Sequence, residues 1–253
     1  MKSRRDLMLE EMGLTPLWQL RGRAAAKEEA AAVPESRVTS HESRLTGADD
    51  RRAAIMGLAW AELKARVASC TDCPLHEKRN KAVFGVGDEN ADWLFVGEGP
   101  GAEEDAQGEP FVGQAGKLLD SMLAAINLKR GQNVYIANLI KCRPPGNRSP
   151  EPREALACEP YLHRQIELIR PRLIVALGKV AAVNLLARDA SIASLRGQIH
   201  QFRGIPLIVT YHPAYLLRNL PDKAKGWVDL CFAVRVMSDL QKAPPPPSNI
   251  EIT

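Results

Sequence analysis

Four short apolar runs alternate with segments of helical periodicity, and this alternation constrains the fold more than any other feature of the chain. The apolar runs are DWLFVG (92–97), NVYIANLI (133–140), RLIVALG (172–178) and IPLIVTYH (205–212). Segments with helical apolar spacing lie between and around them, at 52–69, 113–128, 150–169, 179–187 and 222–240. Strands that alternate with helices in this way pair in parallel and are covered by helices on both faces. The sequence therefore predicts an α/β fold with ligands bound at the carboxyl ends of the strands.

The two ends of the chain differ in composition from its centre. Residues 21–50 are rich in Ala, Glu and Ser and poor in large apolar side chains, so they cannot bury enough surface to offset the entropy of ordering. The last residues, KAPPPPSNIEIT, contain four consecutive prolines and favour an extended conformation. We therefore expect a largely flexible N-terminal extension over 1–50, one domain over 51–241 and a proline-rich tail over 242–253.

Charge and hydropathy exclude several classes of protein. No apolar run approaches the roughly 18 residues of a membrane span. The N-terminus, MKSRRDLMLEEMG, has basic residues but lacks the apolar segment that follows them in a secretory signal. We expect a cytoplasmic protein, monomeric and without membrane contact. Its net charge of +4 permits a polyanionic partner but does not require one.

Five cysteines are an odd number, and in a reducing compartment they argue against a disulfide framework. Cys70 and Cys73 form C-T-D-C after a helical segment, while Cys142 follows the second apolar run and Cys158 lies in the next helix. A C-x-x-C pair can bind zinc, act as a redox dithiol or bind an iron–sulfur cluster. The redox interpretation expects the pair at a helix N-terminus, and structural zinc usually shows a second close pair, so the residues favour iron–sulfur over zinc and over simple burial. Cys231 lies on an apolar helix face and is expected to pack in the core.

The segment GEGPGAEEDAQGEPFVGQAG joins the first apolar run to a helix. Gly97, Gly99 and Gly101 allow the backbone to turn sharply and to approach a ligand closely. The segment matches neither the P-loop nor the dinucleotide pattern, and its five carboxylates argue against a triphosphate ligand. A neutral or weakly acidic planar ligand fits better, with the ring of Phe111 stacked on it. The alternatives are a core position for Phe111 and a solvated turn position for Glu98.

Polar side chains also mark the second and fourth apolar runs. Asn138 lies within the second run, and His212 ends the last one. The chain continues after His212 as P-A-Y-L-L-R, in which Leu216 and Leu217 look exposed and precede Arg218. An apolar wedge beside a cation is the combination with which proteins part a base step and bind phosphates. A capping or merely exposed histidine is the alternative.

Taken together, these motifs resemble those of family 4 uracil-DNA glycosylases, the iron–sulfur branch of that superfamily. The shared pattern is C-x-x-C, GEGPG, PFVG, N-x-x-x-C-R-P-P-x-N-R-x-P, a further cysteine and H-P-A-Y-L-L-R, in this order over residues 52–241. Each motif alone is weak, whereas their order and spacing together are specific. The resemblance implies a three-layer α/β/α sandwich around a central four-stranded, mostly parallel sheet. It also implies a structural [4Fe–4S] cluster held by Cys70, Cys73, Cys142 and Cys158.

The same resemblance implies a function and assigns roles to residues. The enzyme would flip uracil out of single- or double-stranded DNA and hydrolyse its N-glycosidic bond, leaving an abasic site without cleaving the strand. Catalysis is expected from Asn138, which recognises the base, from His212, which donates to uracil O2, and from Glu98. The base pocket is expected to comprise Gly97, Gly99, Gly101, Phe111, Asn138 and His212. The DNA contacts are expected to come from Arg143, Arg148, Leu216, Leu217 and Arg218.

Two positions depart from the pattern of the superfamily. Its better-known branch carries a water-orienting aspartate where this chain has Gly99, and family 4 commonly has alanine there. We therefore expect Glu98 to orient the water, with Asp105 as a second candidate. The bulky aromatic residue that excludes thymine in the better-known branch is replaced by Gly101, so the resemblance does not explain how thymine is rejected.

Two other functions compete with this hypothesis. A covalent uracil-DNA binder of the same superfamily traps the sugar on a histidine, for which SLRGQIHQF offers His200. That relative has K-R-R-I-H and GEQPG, whereas this chain has R-G-Q-I-H and GEGPG, so we expect a turnover enzyme with His200 in a structural or phosphate-side position. An iron–sulfur electron-transfer protein would use the cluster but would need no base pocket of Asn138, Phe111 and His212.

Overall fold

The computed structural model describes residues 49–242, and within them it shows one mixed sheet of six strands. The strands are β1 (Val86–Gly87), β2 (Trp93–Gly97), β3 (Val134–Asn138), β4 (Leu173–Leu177), β5 (His200–Phe202) and β6 (Ile205–Thr210). Their order across the sheet is β1-β3-β2-β4-β6-β5. The four central strands are parallel, while β1 and β5 pair antiparallel at the two edges.

The strand count is the first correction to the sequence-based expectation. The four predicted apolar runs are the four parallel strands, but two edge strands of two and three residues widen the sheet. Strands this short are too brief to leave a period-two pattern in the sequence. The α/β class and the parallel centre are confirmed.

Helices cover both faces of the sheet. They are α1 (49–56), α2 (Trp60–Ala68), α3 (Ala102–Gln107), α4 (Gln114–Ala125), α5 (Pro152–Ile169), α6 (Lys179–Leu186), α7 (Ile192–Leu195), α8 (Pro213–Arg218) and α9 (Lys223–Lys242). Successive residues of each central strand enter opposite cores: Leu94 and Val96 of β2 pack in one, Trp93 and Phe95 in the other. The first core is closed by α2, α5 and α6 and the second by α4 and α9, which confirms the three-layer α/β/α arrangement.

The segment 52–69 was expected to be one helix, and the structure divides it. The helix α1 ends at Met56, just before Gly57, and α2 begins after Ala59, whose backbone is extended. The carboxylate of Glu62 accepts a 2.8 Å hydrogen bond from the Ala59 N–H and so caps the new helix. The apolar spacing continues across the break, and for that reason the periodicity did not reveal it.

The expected core position of Cys231 is wrong, because its thiol is exposed. The buried face of α9 is formed by Gly226, Asp229, Leu230, Ala233, Val236 and Met237. Cys231 follows Leu230 by one residue and is therefore rotated by about 100° away from that face.

The expected N-terminal extension (1–50) and proline-rich tail (242–253) lie outside the described residues, apart from positions 49, 50 and 242, which are helical. Within the part of the chain that the structure describes, no helix is long and apolar enough to cross a membrane. The chain places β3 on one side of β2 and β4 on the other, so the strand order reverses at β2. In parallel α/β sheets such a reversal opens a crevice at the carboxyl ends of the strands.

Candidate functional site

A cavity of about 440 Å³ lies at this carboxyl edge of the sheet. Its wall contains eight of the residues singled out in the sequence: Glu98, Gly99, Gly101, Phe111, Asn138, Arg148, His212 and Arg218. They come from the ends of β2, β3 and β6 and from the loops that follow these strands. The structure therefore brings together side chains that are more than 100 positions apart in the chain.

Asn138 is the last residue of β3, and its side chain faces the cavity although it is only 1% exposed. Its Oδ1 atom is buried and has no hydrogen-bond partner among the described residues. Buried polar atoms are nearly always paired, so an unpaired one in a cavity wall indicates a group that binds a ligand. The site thus offers a fixed amide group to a molecule that enters the cavity.

Gly97 pairs in register with Asn138 across β2 and β3. A Cβ atom on Gly97 would lie 2.5 Å from Asn138 Oδ1 and 2.6 Å from Phe111 Cζ. Both distances are far inside van der Waals contact, so the position requires glycine. The sequence suggested that this glycine loop approaches a ligand closely. At Gly97, the backbone instead approaches two side chains of the cavity wall, Asn138 and Phe111.

Phe111 has the left-handed backbone angle φ 56°, which is unusual for an aromatic residue. Its ring lies at the cavity, 5.5 Å from the ring of His212 between centroids. Arg130 stabilises this conformation, because its guanidinium donates to the carbonyl oxygens of Pro110 and Phe111, both at 2.8 Å. A strained residue held in place by its surroundings is typical of a functional site. Arg130 carries no sequence motif and was missed.

His212 follows β6 directly and caps α8. Its Nδ1 atom accepts a 3.1 Å hydrogen bond from the Ala214 N–H, so the ring proton is on Nε2 and can be donated. Burial lowers the pKa of His212 to about 4, with a further decrease from the Arg218 cation and a smaller opposing effect of Glu104. His212 is therefore a neutral hydrogen-bond donor at pH 7.

Two wall residues were missed in the sequence. Gly178 directly follows β4 with φ 93°, and a Cβ atom there would lie 2.9 Å from His212 Cβ, so this glycine makes room for the histidine. The carboxylate of Glu104 accepts hydrogen bonds from the N–H groups of Gly101, Val112 and Gly113 at 3.0–3.1 Å, which ties two loops of the wall together. The capping-box spacing from Gly101 to Glu104 is a local signal that would have indicated Glu104.

The two candidates for water orientation differ in position. Glu98 lies in the cavity wall, whereas Asp105 does not. Asp105 is 1% exposed, and its carboxylate accepts hydrogen bonds from the backbone and side-chain amides of Asn80 and from the Lys81 N–H. Its role is to hold the 80–81 loop, so the second candidate for water orientation is wrong.

Of the residues expected to contact DNA, Arg148 and Arg218 line the cavity, whereas Arg143, Leu216 and Leu217 are absent from its wall. Arg148 donates to both carboxylate oxygens of Glu154, at 2.7 and 2.8 Å, and Arg143 donates to Asn147 Oδ1 at 2.7 Å. Leu217 is 40% exposed. The expected exposure of Leu216 is wrong.

Leu216 is only 2% exposed and packs with Met122, Tyr211 and Leu230. In the six-residue helix α8, adjacent residues point about 100° apart, and this rotation places Leu216 against the core and Leu217 towards solvent.

The four cysteines Cys70, Cys73, Cys142 and Cys158 line one small cavity beside α2 and α5. The Arg79 guanidinium donates to Cys142 Sγ at 3.0 Å, and the Lys141 N–H donates to Cys158 Sγ at 3.2 Å. Burial raises the pKa of the Cys158 thiol to about 12 and also raises that of Cys142. Within residues 49–242, no three His, Cys, Asp or Glu side chains are grouped closely enough to hold one metal ion.

His200 lies in the edge strand β5, opposite Leu207, which is three residues before the end of β6. Its Nε2 atom lies 2.7 Å from the Leu195 carbonyl oxygen. It is absent from the cavity wall. This position fits the structural role expected for it.

Comparison with known proteins supplies the family. The family model of the Uracil DNA glycosylase superfamily matches residues 84–233, which include all of the cavity wall. The chain belongs to this superfamily. It is 46% identical over 164 residues to the type-4 uracil-DNA glycosylase of Archaeoglobus fulgidus, covering 62% of this chain and 82% of that protein.

Two further relatives place the chain within the superfamily. Identity to the type-4 uracil-DNA glycosylase of Thermotoga maritima is 44% over 180 residues, covering 70% of this chain and 89% of that enzyme. Identity to the type-5 uracil-DNA glycosylase of Pyrobaculum aerophilum is 32% over 149 residues, covering 53% of this chain and 66% of that enzyme. The similarity is thus greater to the type-4 branch, as the sequence motifs predicted.

Proposed function

We propose that this protein removes uracil from DNA by hydrolysing the N-glycosidic bond and leaves an abasic site without cleaving the strand. The observation that carries the proposal is the unpaired Oδ1 of Asn138, which shares one cavity with the neutral donor His212. The names of the type-4 relatives support the same substrate.

Recognition of uracil follows from the amide of Asn138. Its Oδ1 accepts from uracil N3–H, and its amino group donates to uracil O4. Cytosine presents a donor where uracil has O4 and an acceptor where uracil has N3–H, so its binding would leave buried groups unpaired. Such mismatches discriminate strongly between ligands. Phe111 stacks on the base, and the segment from Glu98 to Gly101 forms the adjoining wall, while Gly97 packs against Asn138 and Phe111 behind it.

The chemical step needs the base outside the duplex stack, because the bond to be cleaved is inaccessible within it. Cleavage leaves an oxocarbenium-like sugar and a uracil anion with charge on O2. The Nε2–H group of His212 donates to O2 where this charge develops, and the neutral ring is already oriented for it. Glu98 orients the water that adds to C1′, and the proton released by this water neutralises the leaving base.

DNA binding is assigned to the rim of the cavity. Arg143, Arg148 and Arg218 contact phosphates, and the exposed Leu217 replaces the extruded base in the stack. Glu154 already neutralises part of the charge of Arg148, so we assign more of the phosphate affinity to Arg143 and Arg218.

We further propose that Cys70, Cys73, Cys142 and Cys158 hold a [4Fe–4S] cluster. The donor set fits, since four thiolates from three segments surround a common cavity and two of them receive N–H hydrogen bonds. The role of the cluster is structural: it fixes the loop after β3 against α2 and α5.

The decisive experiment uses an end-labelled oligonucleotide with a single uracil, in single- and double-stranded form. Strand breaks that appear only after alkali treatment are expected from a glycosylase without lyase activity. Breaks without alkali would contradict the absence of a lyase step. A product that survives denaturation as a protein–DNA adduct would instead support covalent trapping at His200.

Asn138→Ala is expected to abolish uracil release while leaving the visible absorbance of the cluster unchanged. Asn184→Ala is the matched control, because Asn184 is exposed on α6 and is absent from the cavity wall. Full activity of N138A would refute the pocket assignment. Cluster absorbance without any uracil release in the wild type would favour an electron-transfer protein.

A further inference from the structure

Lys141 is a buried cation between the base pocket and the four cysteines. Its side chain is 1% exposed, and Nζ donates to the Asn138 carbonyl oxygen at 2.9 Å and to Gln165 Oε1 at 2.6 Å. Both acceptors are uncharged, and among residues 49–242 no carboxylate forms an ion pair with Lys141. A buried charge without a counter-charge is strongly unfavourable, so an anion belongs near this lysine.

Arg79 is a second cation at the same place. Its Nη1 donates to Cys142 Sγ at 3.0 Å and its Nη2 to the Ala68 carbonyl oxygen at 2.9 Å, and no carboxylate of the described chain pairs with it. Both Arg79 and Lys141 line the cavity of the four cysteines. The third cation nearby, Arg51, is neutralised by Asp72 at 2.8 Å.

The charges around this cavity therefore leave an excess of two positive charges. Glu154, a buried carboxylate whose charge is felt at Cys73, is bound to Arg148 and does not change this balance. Four thiolates around a cubane core with two net positive charges form a dianion. The excess charge of the protein is thus equal and opposite to that of the oxidised cluster.

We propose that Lys141 and Arg79 are the counter-cations of the cluster, and that Lys141 is the positioning residue through which the cluster fixes Asn138 in the base pocket. The inference rests on the cluster assigned under the proposed function. Lys141 is suited to this role because its backbone N–H donates to Cys158 Sγ at 3.2 Å while its ammonium group holds the Asn138 carbonyl. Gln165, on the same helix as Cys158, completes the link and donates in turn to the Phe84 carbonyl at 2.9 Å.

The test compares the anaerobically purified holoproteins of the wild type, Lys141→Met and Lys78→Met. Methionine keeps the length of the buried stem but removes the charge and both hydrogen bonds. Lys78 is exposed and directly precedes Arg79 in the chain, so K78M removes an equal charge where water screens it. The measurements are iron per chain, the rate at which an iron chelator bleaches the visible absorbance, and the reduction potential of the cluster.

We expect K141M to lose its cluster to the chelator roughly tenfold faster or more, as the loss of charge-assisted hydrogen bonds predicts. Its reduction potential should shift to more negative values, since a nearby cation stabilises the additional electron. The K78M protein should match the wild type in both measurements. In addition, inhibition by free uracil should weaken in K141M that retains its cluster, because Asn138 is no longer held.

Arg79→Gln provides an independent variant that does not touch the base pocket. It removes the second cation while an amide can still donate to Cys142 Sγ, and faster bleaching with unchanged uracil inhibition is expected. Should K141M fail to fold, R79Q alone decides the charge assignment, and wild-type bleaching and potential in it would overturn the proposal. A wild-type protein that binds no iron after reconstitution would instead refute the proposed cluster itself.

Discussion

Replacing Gly97 with alanine tests whether base recognition depends on the close approach of three chain segments at the end of β2. The added Cβ atom would lie 2.5 Å from Asn138 Oδ1 and 2.6 Å from Phe111 Cζ. Favourable contact needs about 3.5 Å, so the two side chains must withdraw by roughly 1 Å. A displacement of that size in a reactive geometry lowers the rate on the order of 100-fold. We expect G97A to release uracil ~100-fold more slowly in a single-turnover assay with excess enzyme.

The fold should survive this change, because the displaced atoms are the ends of side chains and not backbone. Overpacking of this kind costs about 1–3 kcal/mol of unfolding free energy, which thermal unfolding would measure. Gly57→Ala is the control: a Cβ atom there meets only carbonyl oxygens at 3.7 and 3.8 Å, which is ordinary contact. A folded G97A enzyme with the wild-type rate would show that Asn138 and Phe111 are not the base contacts, and the reasoning would be refuted.

Three other changes test the surroundings of the pocket. Arg130→Ala removes the guanidinium that donates to the Pro110 and Phe111 carbonyl oxygens. It should slow single-turnover excision roughly tenfold or more, since a charge-assisted hydrogen bond contributes about 1.5–3 kcal/mol. An unchanged rate would contradict this. Leu217→Ala should slow excision from duplex but not from single-stranded DNA, because Leu217 is the proposed wedge. Leu216→Ala should instead lower the unfolding free energy by about 2–5 kcal/mol, because Leu216 is buried. Equal effects of the two variants on duplex excision would contradict this assignment. His212 has a folded pKa of about 4, below its unfolded value of 6.5, so its contribution to stability is complete above pH 6.5 and is lost as pH falls towards 4. The unfolding free energy measured by denaturant titration should decline less over this range in H212Q than in the wild type, by at most roughly 3 kcal/mol, and parallel curves would oppose a buried neutral histidine.

The features that the sequence predicted are those encoded by local patterns. Each parallel strand lies in a largely apolar run, and Asn138 and His212 could be located because one is a polar residue within such a run and the other ends one. Because the carboxyl ends of parallel strands share one edge, it followed that these side chains would meet. The family motifs added the cysteines, which no periodicity connects.

The features that the sequence did not predict depend on contacts between distant segments. Arg130 is 19 positions from Phe111 and lies in no motif, yet it holds the carbonyl of that residue. Leu216 and Leu217 are chemically alike, and only the direction of a short helix decides which of them is buried. Gly178 resembles any strand-ending glycine until the position of His212 is known.

Under the proposed function, the arrangement of the loop after β3 suits base recognition by Asn138. An amide whose buried Oδ1 has no hydrogen-bond partner tends to rotate towards any nearby donor. A hydrogen bond that fixes its backbone limits this rotation. The Asn138 carbonyl is fixed by Lys141, and four residues after Asn138 the chain reaches Cys142. A hydrogen-bond network or a cluster at that position limits the movement by which the Asn138 amide could otherwise reach a donor within the protein. Under the proposed function, the unpaired atom thus remains available to the base, and the four-residue distance from Asn138 to Cys142 places the proposed cluster where it can fix this segment.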